Sequence, residues 1–126
     1  MKTNRNTVQR SLVLETVTSL HTHPTAEEIY LSIAQKHPSV SRSTVYRNLN
    51  LLAEEGAIRK VLVPEGADRY DYRVMPHYHI RCARCGRVFD VDMEYQPQIH
   101  RQIRDTHGFT VQGHDIVFQG ICPQCK

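Results

Sequence analysis

The sequence predicts an α+β protein in two parts, on three observations. Apolar residues recur at helical spacing through the first 55 residues. Short alternating stretches bounded by turn residues replace them afterwards. Four cysteines, Cys82, Cys85, Cys122 and Cys125, fall as two C-x-x-C pairs in that second part, among 126 residues in all.

The helices come first. "TVQRSLVLETVTSL" sets Val8, Leu12, Val13, Val17 and Leu20 roughly along one stripe. "HTHP" stops that helix, because the residue before Pro24 is disfavoured in helical geometry. Thr25 with Glu28 three residues on forms a capping box, so a second helix starts there, with Ala26, Ile29, Tyr30 and Ile33 on its apolar side. Ser41 caps a third, in which Val45, Leu49, Leu52 and Ala53 face a core and Gly56 marks the stop. "AIRKVLV" and "DRYDYRV" then read as two strands around the turn "PEGA". Three helices followed by a hairpin is the element order of a winged helix-turn-helix.

The outer face of the third helix carries Ser43, Tyr46, Arg47 and Asn50, with Arg42 beside them and no acid before Glu54. Hydrogen-bonding side chains of this kind suit a DNA major groove: Arg47 and Asn50 for base edges or phosphates, Ser43 and Tyr46 for phosphates. A solvated helix surface is the plainer reading. Charge favours DNA: residues 1–60 hold eight Lys/Arg against five Asp/Glu, whereas residues 61–126 hold eight of each.

In the second part, "YHIRCARCGRVFDVDM" reads as two short strands joined by a cysteine turn. "QPQIHRQIRDTHG" reads as a helix with Pro97 in its first turn and Gly108 at its stop, and "FTVQGHDIVFQGIC" as one or two further strands. The expected domains are 1–72 and 73–126, joined by a compact hinge. No run approaches the length of a membrane span and no signal-type apolar core opens the chain, so a cytoplasmic protein is expected.

Two residues between thiolates let both reach one ion, and two such pairs supply a closed tetrahedral Zn²⁺ site with a structural role. A redox dithiol would need only one pair, and an iron–sulfur cluster also takes four thiolates. His77, His79 and Asp90 lie outside that sulfur set. On a strand His77 and His79 share a face, and imidazole with carboxylate suits Fe²⁺, Mn²⁺ or Zn²⁺. Ordinary hydrogen-bonded histidines are the competing reading.

The segments "HPTAEEIY" (23–30), "STVYRNL" (43–49), "RYDY" (69–72) and "HYHIRCARCG" (77–86) resemble the ferric uptake regulator family of metal-dependent transcription regulators, over nearly the whole chain from Gln9 to Cys125. The resemblance implies a homodimer on a palindromic operator, a C-terminal α/β dimerisation domain, and structural zinc on the four cysteines. It implies a second, regulatory site of Fe²⁺ or Mn²⁺ on His23, Asp71, His77, His79 and Asp90. Asp at position 90, where iron sensors tend to carry Glu, and Tyr78 between the two histidines match the peroxide-sensing branch. There, hydrogen peroxide reacts at the bound iron and oxidises a ligand histidine, here His23 or His79, and DNA is released. This implies a sensor and not an enzyme. A regulator of iron, zinc or manganese uptake is the alternative within the family, and a small metal-dependent redox enzyme the alternative outside it. Val8 stands where the family often has proline, and the short N-terminus implies a curtailed first helix or arm. His100, His107 and His114 could serve a further metal or lie at the surface.

Overall fold

The computed structural model describes residues 5–64 and 66–126. The chain divides into two compact units, Met1–Met75 and Pro76–Lys126.

The first unit contains α1 (Arg5–Ser19), α2 (Ala26–Lys36) and α3 (Arg42–Glu54), followed by β1 (Arg59–Val61) and β2 (Arg69–Asp71). Both predicted caps form. The Thr25 side chain accepts from the Glu28 N–H while Glu28 reaches back to the Thr25 backbone, and the Ser41 side chain accepts from the Thr44 N–H. Gly56 ends α3 at φ +80°, a conformation that costs a residue without a Cβ little. Val13 and Val17 of α1, Ile29 and Ile33 of α2, and Val45, Leu49 and Leu52 of α3 make one buried cluster, closed by Ile58 and Tyr70. Burying each aliphatic side chain stabilises the unit by about 1.5–3 kcal/mol.

One helical assignment needs correction. Val8 is 55% exposed, and the buried line of α1 is Gln9, Val13 and Val17, with Leu12 and Leu20 beside it. At 3.6 residues per turn Val8 and Val13 lie about 140° apart, so they cannot share one narrow stripe.

β1 and β2 pair antiparallel with Arg59 opposite Asp71 and Val61 opposite Arg69. They are shorter than the predicted runs. The Asp68 carboxylate accepts from the Val63 N–H at 3.2 Å, diverting the chain into a turn before the ladder can extend. β2 also grips the segment before α2: the Tyr70 N–H donates to the Pro24 carbonyl at 2.9 Å, and Thr25 bridges to Arg69.

In the second unit β3 (Tyr78–Cys82) is the central strand. It pairs antiparallel with β4 (Val88–Val91) and parallel with β5 (Val117–Gly120). The helix expected over 96–108 is absent; a single 3₁₀ turn, Ile99–Gln102, forms instead. No residue of that turn is buried and Ile103 is 47% exposed. Without an apolar face to bury, nothing offsets the cost of nucleating an α-helix. Residues 109–116 form no strand, so the last stretch yields β5 alone.

No helix among the described residues is long and apolar enough to cross a membrane.

Candidate metal and nucleic-acid sites

The sulfur cluster belongs to the second unit. Cys82 ends β3, and a tight turn follows: the Cys82 N–H bonds the Arg87 carbonyl and the Gly86 N–H the Cys82 carbonyl, each at 2.9 Å, with Gly86 at φ +80°. Beyond β5 a second turn brings Cys122 and Cys125, with the Cys125 N–H on the Cys122 carbonyl at 3.0 Å. All four sulfurs lie within 4.8 Å of one another, Cys85 and Cys122 at 3.9 Å, and none is in a disulfide. A tetrahedron of 2.3 Å zinc–sulfur bonds sets its sulfurs about 3.8 Å apart, so the cage fits zinc after a small contraction.

The protein already favours thiolate at Cys82. Backbone N–H groups of Cys85 and Cys122, each 3.4 Å from the Cys82 sulfur, pull its pKa down to about 5. Cys125 is pushed up to about 12, chiefly by its hydrogen bond with Cys122. Arg87 Nη2 lies 3.9 Å from the Cys122 sulfur, and Arg84 Nη1 donates to the Cys125 carbonyl at 2.6 Å.

The nitrogen and oxygen donors form two clusters, one in each unit. In the first, His23 Nε2 lies 3.3 Å from Asp71 Oδ2, and both side chains are buried. His23 has φ 53°, a left-handed conformation uncommon outside glycine. Arg69 Nη1 holds its carbonyl at 3.0 Å, and the second Asp71 oxygen accepts from the Arg73 N–H at 2.9 Å. In the second unit His79 sits opposite Asp90 across the β3–β4 ladder. Asp90 Oδ1 is 3.0 Å from His77 Nε2 and 3.5 Å from His79 Nε2, and the two buried imidazoles stand 4.5 Å apart. His77 and His79 do share a face. Borderline nitrogen and hard oxygen donors in such sets could hold Fe²⁺, Mn²⁺ or Zn²⁺.

Of the remaining histidines, His107 is exposed, 3.8 Å from Asp105, and His114 bonds the Tyr78 hydroxyl at 2.7 Å while stacking on Tyr95. Neither they nor His100 join a group of three or more metal-ligating side chains among the described residues.

On α3, Arg42, Ser43, Tyr46, Arg47 and Asn50 are all exposed. The face is less acid-poor than the sequence of α3 indicated. Glu27 of α2 accepts from Arg42 at 2.7 and 2.9 Å and from the Tyr46 hydroxyl at 3.0 Å. Arg42 holds the Glu27 carboxyl below its usual range, chiefly through these bonds. Glu27 and Arg69 escaped the sequence reading because each acts on a side chain or carbonyl far along the chain.

The sequence profile of the ferric uptake regulator family matches residues 2–119. The chain belongs to that family. Ferric uptake regulators are DNA-binding transcription regulators and not enzymes. The peroxide-responsive repressor PerR of Staphylococcus epidermidis is 31% identical over 122 residues, which are 97% of this chain and 81% of that protein. Its Staphylococcus aureus counterpart is 33% identical, covering 97% and 82%. Among solved structures, the Helicobacter pylori ferric uptake regulator, which has three functional metal binding sites, is 30% identical with a TM-score of 0.74, covering 98% of this chain and 85% of that one. The Campylobacter jejuni peroxide stress regulator is also 30% identical with a TM-score of 0.74, covering 96% and 91%. The four-sulfur cage of this chain suits structural zinc, and its nitrogen–oxygen donors suit a second, regulatory metal.

Proposed function

We propose that the chain is a cytoplasmic, metal-dependent repressor that senses hydrogen peroxide. In this reading Cys82, Cys85, Cys122 and Cys125 hold structural Zn²⁺. His23 with Asp71, and His77 with His79 and Asp90, are the two halves of one regulatory site for Fe²⁺ or Mn²⁺. α3 reads a palindromic operator in a homodimer, through Arg42, Ser43, Tyr46, Arg47 and Asn50. The observation that carries the reading is the pair of histidine–aspartate clusters, one in each unit, buried except for Asp90, with aspartate at position 90. The peroxide-responsive names of relatives at 31–33% identity support it.

The physical logic follows from where the ligands lie in the chain. A metal ligated from both units ties its binding free energy to one interdomain angle. In a dimer that angle sets the spacing of two recognition helices, which must match half-sites about one helical turn or a multiple apart. Metal affinity and DNA affinity are then coupled, and reciprocally. Fe²⁺ held there would activate hydrogen peroxide: the O–O bond breaks, one oxygen enters a C–H bond of the His23 or His79 imidazole, the other leaves as water, and the imidazole is the two-electron reductant. For the dimer, the second unit offers Phe109 at 76% exposure and a groove of about 350 Å³ that runs from Ile80, Phe89 and Ile121 to Arg81 and the cage residues Cys82 and Cys122.

The test is DNA binding by the Fe²⁺ and Mn²⁺ forms before and after one equivalent of peroxide. Loss of binding by the Fe²⁺ form alone is expected. The second reading, a metal-uptake regulator, draws on the likeness to the H. pylori protein; retention of DNA by the Fe²⁺ form through excess peroxide would establish it instead.

A further inference from the structure

An acid stands on the exposed face of α3, and it comes from α2. Glu27 Oε2 accepts from Arg42 Nε at 2.9 Å and Oε1 from Arg42 Nη2 at 2.7 Å. Oε2 also accepts from the Tyr46 hydroxyl at 3.0 Å. The Arg42 guanidinium lies over the Tyr30 ring, 4.5 Å from its centroid. A lone surface ion pair fixes little, because two long side chains lose entropy and water screens the charge. A bidentate pair whose carboxylate takes a third bond and whose cation rests on a ring has a single geometry.

We propose that Glu27 is a specificity-determining residue of the DNA interface: it withholds the donors of Arg42 and Tyr46 from indiscriminate phosphate contact and fixes how α3 presents its side chains. The inference rests on α3 being the reading helix. Phosphate attraction is blind to sequence and supplies nearly all non-specific affinity. Two of the five guanidinium N–H groups of Arg42 point at Glu27, and the carboxylate cancels the charge a phosphate would seek. The Tyr46 proton is likewise spent on Glu27, so the hydroxyl meets DNA as an acceptor. Sequence-blind attraction is lowered, while Arg47 and Asn50 on the same face keep their reach to base edges.

The test uses the full chain loaded with Zn²⁺ and Mn²⁺. One duplex is selected from a random library by the unaltered protein; the other is random sequence of equal length. Affinities for both are measured over a salt range for the unaltered protein, Glu27→Gln, Glu27→Ala, Arg42→Ala, Arg47→Ala and the Glu27→Ala/Arg42→Ala double variant. Thermal melts report folding, and Glu27→Gln keeps the side-chain shape should Glu27→Ala melt early. Removing the carboxylate should strengthen binding to random duplex and steepen its salt slope by about 0.9, one freed cation's worth. The ratio of selected to random affinity should fall on the order of tenfold. In the Arg42→Ala background the slope should no longer respond to Glu27. Unchanged discrimination in both Glu27 variants, with or without a lowered melting point, would reduce Glu27 to a brace between helices. An equal slope change with Arg42 absent would mean simple repulsion and overturn the proposal. A protein that selects no duplex, or whose folded Arg47→Ala variant binds both duplexes as tightly as before, overturns the reading of α3 and this inference with it; a selective protein indifferent to Glu27 overturns this inference alone.

Discussion

Arg69 Nη1 donates to the carbonyl of His23 at 3.0 Å, across 46 positions of sequence. That bond, with the Tyr70 N–H on the Pro24 carbonyl, holds His23 in a left-handed backbone conformation that costs roughly 1–2 kcal/mol outside glycine. The strain is sustained by β2, which also carries Asp71, the partner of the His23 imidazole. Arg69→Ala should therefore lower Mn²⁺ affinity by about tenfold, the usual scale for groups that orient a ligand, while the helices melt as before. Calorimetric titration checks this; unchanged Mn²⁺ affinity would mean that His23 needs no such support.

Zinc uptake should release protons. At pH 7 Cys125, pushed up to about 12, keeps its proton in the metal-free cage, whereas Cys82, near 5, is already thiolate. Zinc must displace the Cys125 proton, so apparent affinity should rise with pH through the neutral range. Titration in buffers of different ionisation enthalpy should count at least one proton per zinc. Cys122→Ser should lose zinc and unfold the second unit; a folded, dimeric, zinc-free variant would contradict the structural role.

The regulatory site should distinguish its metals by peroxide. The Fe²⁺ form is expected to release DNA and gain one oxygen on His23 or His79, with the four cysteines unmodified; the Mn²⁺ form keeps both DNA and mass. His23→Ala should abolish metal-dependent DNA binding. Peptide mass spectrometry decides, and oxidised cysteines beside intact histidines would defeat the mechanism.

Arg47→Ala should weaken binding to the selected operator by roughly 1–3 kcal/mol if the guanidinium reads a base. If it touches phosphate alone, the loss should be equal on all sequences. Paired measurements on selected and random duplex separate these outcomes.

The elements written in local chemistry were legible in the sequence. Thr25 with Glu28, Ser41 with Thr44, and Gly56 fix two helix starts and a stop within a few residues each. The cysteine cluster was legible for the same reason, since a C-x-x-C turn carries its own geometry. What depends on distant packing was not. Val8 looked like core until the burial of Gln9 showed which way α1 is rotated. The stretch 96–108 has helix punctuation but no apolar face that its unit buries, and punctuation alone makes no helix. Glu27 beneath Arg42 and Tyr46 joins positions 15 and 19 apart on different helices, beyond the reach of any periodicity argument.

β3 is five residues long, yet it holds His79 near one end and Cys82 at the other. Its partner β5 arrives from far down the chain, pairing Val117 with His79 and Gly120 with Cys82. Parallel contacts between remote segments form late, because a long loop must close before they return anything. The sulfur cage closes that same loop. Zinc that seats β5 against β3 therefore also steadies the strand at whose start His77 and His79 meet Asp90. On the proposed reading, a cell starved of zinc would make a chain whose regulatory half-site in the second unit is loosened however much iron it held, so that one nutrient licenses the protein's use of the other.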